Sequence, residues 1–138
     1  MKKILLFIVA LSISLVPVSL TFAESGDQEA SPVFKIERLV IAGSIDNREP
    51  VGVVNVFASS TEKVYCFLEA GNIEENTTVS FVWYYGEKEV ARIELPLKQG
   101  SRWRTYSSKK LGGRTGDWKV ELQDAGGAVL ETVEFRVE

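Results

Sequence analysis

From Phe34 to the C-terminus, apolar side chains recur at every second position. That period restricts the chain to extended strands burying one face, because an amphipathic helix needs a 3.6-residue repeat. No eleven-residue window beyond Phe34 carries a helical stripe. The clearest strand is Thr78–Tyr85, with Phe81, Trp83 and Tyr85 on one face and Val82 and Tyr84 on the other. Gly86-Glu87-Lys88 turns it into Glu89–Leu95, where Val90, Arg92 and Glu94 alternate with Ala91, Ile93 and Leu95. Trp118, Val120 and Leu122 alternate with Lys119, Glu121 and Gln123, and Val133, Phe135 and Val137 return after the turn at Asp124-Ala125-Gly126-Gly127. Leu130 is out of phase with that last set, so a bulge is expected around Glu131-Thr132. Pro96 must end its strand or sit at an edge, since it donates no ladder hydrogen bond.

Earlier strands are expected at Phe34–Ile41, Val51–Phe57 and Lys63–Glu69, and a later one at Arg102–Ser107. Seven or eight strands separated by turn signals predict an all-β, antiparallel, immunoglobulin-like β-sandwich over residues 34–138. The run Gly112-Gly113-Arg114-Thr115-Gly116 is glycine-rich enough to be expected mobile. Twelve aromatic residues beyond position 30 supply material for one core, and 138 residues suffice for one domain.

Ahead of the strands, Met1-Lys2-Lys3 precedes the apolar run Ile4–Leu11, and Thr21-Phe22-Ala23 offers small residues for cleavage after Ala23. Residues 1–23 therefore read as a signal peptide, and export to the periplasm or beyond is the expectation. The competing reading is an uncleaved anchor over residues 4–23, which Pro17 and the polar tail disfavour. No cysteine lies near the cleavage point, so a lipoprotein anchor is excluded, and no membrane association is expected after cleavage. Residues 24–33 are polar and acidic and read as a flexible spacer.

Absences prune the chemistry. The chain has no histidine, which removes the usual base of Ser-His-Asp and Cys-His mechanisms and any imidazole metal ligand. Its one cysteine, Cys66, precludes an intrachain disulfide. Cys66 shares a face with Val64 and Leu68, the setting of a small core hydrophobe; the alternative is an exposed thiol that dimerises the protein. Removing Lys2 and Lys3 leaves 14 basic against 19 acidic groups, a net charge of −5. A general nucleic-acid binder needs the opposite balance.

Half of those 14 basic groups nevertheless lie between Lys98 and Lys119, against the single acid Asp117. On a strand, Arg102, Arg104 and Tyr106 share a face opposite Trp103 and Thr105. Two guanidiniums beside a phenol suit a phosphate or carboxylate. The candidate binding set for an anionic ligand is therefore Arg102, Arg104, Tyr106, Lys109, Lys110 and Arg114. A wall polymer, a lipid headgroup or an acidic protein segment would suit it. The plainer alternative is a solvated strand face whose cations pair with glutamates on a neighbouring strand.

Other candidates are weaker. Among Trp83, Tyr84, Tyr85, Trp103, Tyr106 and Trp118, alternation places Trp83 and Trp118 inside, which leaves too little aromatic surface for a sugar platform. Asp46-Asn47-Arg48-Glu49 and Glu74-Glu75-Asn76 are oxygen-rich but lack calcium-loop spacing, so turns explain them better. Ser107-Ser108-Lys109-Lys110 places serine near lysine, the remote option of a Ser–Lys hydrolase. No catalytic set, metal site or cofactor is expected. A non-enzymatic binding module of the cell envelope, for an envelope protein or an anionic polymer, is the favoured function, with a structural spacer domain as the alternative.

Five segments occur in order: Asn47–Gly52, Val64–Phe67, Val82–Gly86, Arg102–Lys109 and Gly116–Glu121. Together they resemble the bacterial domain of unknown function 2914, over roughly residues 36–137. The resemblance implies one exported β domain and adds no chemistry. The histidine that often precedes the Trp-Tyr element of that family has no counterpart beside Phe81.

Overall fold

A computed structural model describes residues 33–138. The expected signal peptide, and the expected spacer up to residue 32, lie outside the described residues. Nine strands follow in order: β1 Lys35–Asp46, β2 Glu49–Val53, β3 Val56–Phe57, β4 Lys63–Ile73, β5 Thr77–Tyr85, β6 Lys88–Leu97, β7 Gly100–Lys110, β8 Gly116–Gln123 and β9 Val129–Val137. They form a four-stranded sheet of order β2-β1-β4-β7 and a five-stranded sheet of order β3-β9-β8-β5-β6. The fold is the expected all-β sandwich. Among the described residues, no helix is long and apolar enough to cross a membrane.

The core lies between the sheets, where alternation delivers one face of each strand. Val64, Cys66, Leu68 and Ala70 of β4 meet Val79, Phe81 and Trp83 of β5 and Trp118, Val120 and Leu122 of β8. Phe135 stacks on Trp118, with ring centroids 5.8 Å apart, and meets Trp83 edge-on. One polar link crosses the core: the Trp83 indole Nε1 donates to Ser107 Oγ at 2.9 Å, joining β5 of one sheet to β7 of the other. Burial pushes the Cys66 thiol pKa far above its ordinary value, with the charge of Glu131 adding to the effect. The thiol is fully buried.

Three expectations need correction. The single strand expected over Val51–Phe57 is two strands in different sheets: β2 pairs antiparallel with β1, and β3 pairs parallel with β9. Backbone polar groups at a sheet edge need partners, and this segment finds them by changing edges: Arg136 N donates to Asn55 O and Glu138 N to Phe57 O. The count therefore rises to nine, and one pairing is parallel rather than antiparallel. The bulge in β9 falls at Leu130, one residue before the expected pair, since Leu122 faces Glu131 while Gln123 faces Val129. The glycine-rich loop after β7 is tied down: Arg114 N donates to Leu111 O, Trp118 Nε1 to Arg114 O, and the Tyr85 hydroxyl to Thr115 O. Pro96 does lie on an edge strand, β6.

Candidate functional site

The outer face of the four-stranded sheet holds the charged cluster. Register places Glu69 between Arg38 of β1 and Arg104 of β7, and Phe67 between Val40 and Tyr106. Arg102 follows two residues along β7, on the same face. β1 and β2 then form a hairpin whose two-residue tip, Asn47-Arg48, has positive φ at both positions (49° and 61°). That is the backbone of a type I′ turn, which asparagine tolerates and arginine adopts rarely.

The hairpin does not continue in line with its sheet. Glu49 pairs with Asp46, and a straight strand would put Asp46 about 26 Å from Arg38. Yet Glu49 Oε2 accepts from Arg38 at 2.9 Å, and Glu49 Oε1 accepts from Arg104 at 2.6 Å. The hairpin must therefore bend back over the outer face. Beneath it, Phe67 is buried although it points away from the core, with the Arg38 guanidinium 5.0 Å from its ring centroid.

Five side chains form a continuous charge network there. Glu69 Oε1 accepts from Arg38 Nε at 3.1 Å, and Glu69 Oε2 accepts from Arg102 Nε at 2.9 Å. Glu49 bridges Arg38 and Arg104, with Arg102 3.6 Å from Oε1. For the Glu49 carboxyl, the hydrogen bonds from Arg38 and Arg104 hold the pKa below its ordinary 4.5. For Glu69, the largest single influence is burial, which pushes upward, but the combined hydrogen bonds and charges of Arg102 and Arg38 overcome it and the net shift is downward.

A carboxylate with a depressed folded-state pKa contributes stability above its unfolded-state pKa and loses it as pH falls through the folded value. The network should therefore be intact above about pH 4.5 and progressively lost below it. Urea unfolding of the wild type and of Glu69→Gln between pH 2.5 and pH 7 checks this. The stability gap between the two should narrow on acidification. A gap that stays constant to pH 2.5 would refute the assignment.

Beside the network runs a groove of about 660 Å³ lined by Arg48, Phe67, Arg102, Trp103, Arg104, Thr105 and Tyr106. Arg48 enters none of the ion pairs found among the described residues. Tyr106 is 46% exposed and packs edge-on against Tyr65. With Arg38, four guanidiniums face two carboxylates around this space, so a net positive site persists after internal pairing.

Arg102, Arg104 and Tyr106 are thus brought together. Lys109, Lys110 and Arg114 are not part of that cluster. Lys109 Nζ donates to the Lys110 carbonyl, and Arg114 lies over the rings of Trp118 and Tyr85. Pairing of Arg102 and Arg104 with glutamates matches the plainer alternative, although Glu49 comes from the start of β2, which does not neighbour β7 in the sheet. The Ser–Lys option finds Ser107 Oγ occupied by the Trp83 indole. Asp46–Glu49 is a turn, and among the described residues no group of three acidic or cysteine side chains could hold a metal ion.

Sequence reasoning missed Arg38, Arg48, Glu49, Phe67 and Glu69. Asn47 at a hairpin tip was a usable clue for Arg48. Phe67 and Glu69 were visible as the face opposite Val64, Cys66 and Leu68.

A family model described as a protein of unknown function (DUF2914) matches residues 76–137, in agreement with the resemblance noted above. The match holds Arg102, Arg104 and Tyr106, while Arg38, Arg48, Glu49 and Glu69 precede it. No curated protein matches the chain. Among solved structures, an immunoglobulin-like protein from Pseudomonas aeruginosa is similar at TM-score 0.52 and 10% identity, covering 76% of this chain and 96% of that one. A β-glucosidase from Listeria innocua is similar at TM-score 0.47 and 11% identity, covering 76% of this chain. The chain spans 16% of that enzyme's length. One from Kluyveromyces marxianus is similar at TM-score 0.46 and 11% identity, over 76% of this chain and 14% of the enzyme.

Proposed function

We propose that this chain, whose C-terminal part matches a family of unknown function, is an exported binding module that carries out no bond chemistry. It captures an anionic partner in the groove between the β1–β2 hairpin tip and β7. The observation that carries this reading is the convergence of Arg48, Arg102, Arg104 and Tyr106 on one groove. Arg48 holds a left-handed backbone there and has no internal ion-pair partner among the described residues. Such strain at an exposed cation is typical of functional positions. A guanidinium has five N–H donors, so Arg102 and Arg104 retain donors beyond those bonded to Glu69 and Glu49 and can still grip a carboxylate or phosphate. Export rests on the leader read at residues 1–23, and an envelope protein or anionic polymer is the corresponding partner.

The spacer-domain reading has one observation in its favour, the internal neutralisation of Arg102 and Arg104. Arg48→Ala separates the two readings, because it removes no ion pair. Titration of the protein with polyglutamate and with inorganic polyphosphate should give binding that weakens with salt. Arg48→Ala should weaken it about tenfold, equivalent to one charge-assisted contact, without moving the unfolding midpoint. If neither polyanion binds, or binding ignores Arg48, the module reading is wrong and the spacer reading stands.

A further inference from the structure

We infer that the partner is an acidic polypeptide segment that binds in extended form as an added strand on the free edge of β7. This rests on the anion-binding reading above. The groove is lined by five consecutive residues, Arg102 to Tyr106. Consecutive side chains on a strand point to opposite faces. A cavity touching all five must reach over the edge of the strand, while Phe67 of β4 and Arg48 carry it across the outer face as well.

That edge is open. β7 pairs with β4 alone, and no other backbone hydrogen bond involves Gly100–Lys110 among the described residues. Alternate N–H and C=O groups therefore face the groove. The other edges of the two sheets are poor templates: β2 carries Pro50, β3 has two residues, and β6 carries Pro96. β7 is eleven residues long and has no proline.

Charge selects the occupant. A second copy would bring a strand whose charged residues, Arg102, Arg104, Lys109 and Lys110, are all cationic beside the same strand with no acid to pair them, which guards this edge against self-pairing. An acidic strand meets attraction instead. Its residues on the outer side would face Arg48, Arg102 and Arg104, and those between them would face Trp103 and Thr105. The fitting pattern is acidic and apolar residues in alternation over five or six positions. A glycan, lipid headgroup or polyphosphate could engage the guanidiniums but could not pair with the main chain, as β-strand addition does.

The experiment uses the isotope-labelled protein and three probes. These are a ten-residue capped peptide alternating Glu and Val, the same peptide N-methylated at consecutive central amides, and inorganic polyphosphate. The unmodified peptide should bind, and it should slow amide exchange on alternate residues of Arg102–Tyr106. Methylation should weaken it at least tenfold, because it blocks both peptide edges at unchanged charge. Equal binding of the two peptides, both sensitive to Arg48→Ala, would overturn strand addition and leave the anion-binding reading in place. Protection at a different edge would also overturn it. Failure of every probe to bind through Arg48 would remove the inference and the reading beneath it together.

Discussion

Trp83→Ala is expected to lower the free energy of unfolding by about 3–5 kcal/mol, the range for deleting a large buried aromatic side chain. Trp83 is fully buried and packs edge-on to Phe135, so truncation empties a site that rigid strands on both sides cannot refill. Trp83→Phe isolates the polar part. It keeps most of the ring volume but leaves the buried Ser107 hydroxyl without its indole donor, at a cost of about 1–3 kcal/mol. Ser107→Ala should cost a similar amount by stranding the indole N–H, and the double variant should cost less than the two singles combined. Denaturant unfolding with an unchanged m-value checks the cycle. Strict additivity would show that the bond joining the two sheets contributes nothing.

Phe67→Ala should destabilise by about 3 kcal/mol, near the low end for a buried aromatic because the hairpin above can settle partway into the space. The side chain points away from the core, where a substitution would ordinarily change stability by less than about 0.5 kcal/mol. It is nonetheless 1% exposed, closed over by the bent hairpin and by the Arg38 guanidinium at 5.0 Å. Tyr106→Ala is the control, since Tyr106 neighbours Phe67 in register on the same face and stays 46% exposed. A small, equal effect for both variants would show that the hairpin does not shield Phe67.

These two residues divide what alternation can and cannot reveal. Trp83 sits in an unbroken two-residue pattern with Phe81 and Tyr85, so its inward direction follows from strand geometry alone. Phe67 sits in an equally regular pattern, and the same geometry assigns it outward, correctly. Its burial comes from a second element folding over that face. No local pattern in Lys63–Ile73 records this, because the covering hairpin lies more than ten residues upstream. The ion network escaped for the same reason. Glu49 belongs to a turn sequence that any hairpin would use, and nothing near it indicates that Arg38 and Arg104 will meet there.

Cys66 and Val51–Phe57 draw the contrast again. Cys66 was placeable among core residues because Val64 and Leu68 flank it in phase. Val51–Phe57 reads as one strand because each residue favours extended backbone. Its division between two sheets depends on which edges lie vacant, at β1 on one side and β9 on the other.

The sequence by itself determined the class of fold, the direction in which most side chains point and the gathering of Arg102, Arg104 and Tyr106 on one face, because each follows from a two-residue period within a single strand. Only the tertiary structure decided the folding-back of the hairpin, the carboxylates that meet the arginines and the open edge of β7. Those depend on contacts between segments far apart in the chain, whose partners are selected by the packing of the whole sandwich.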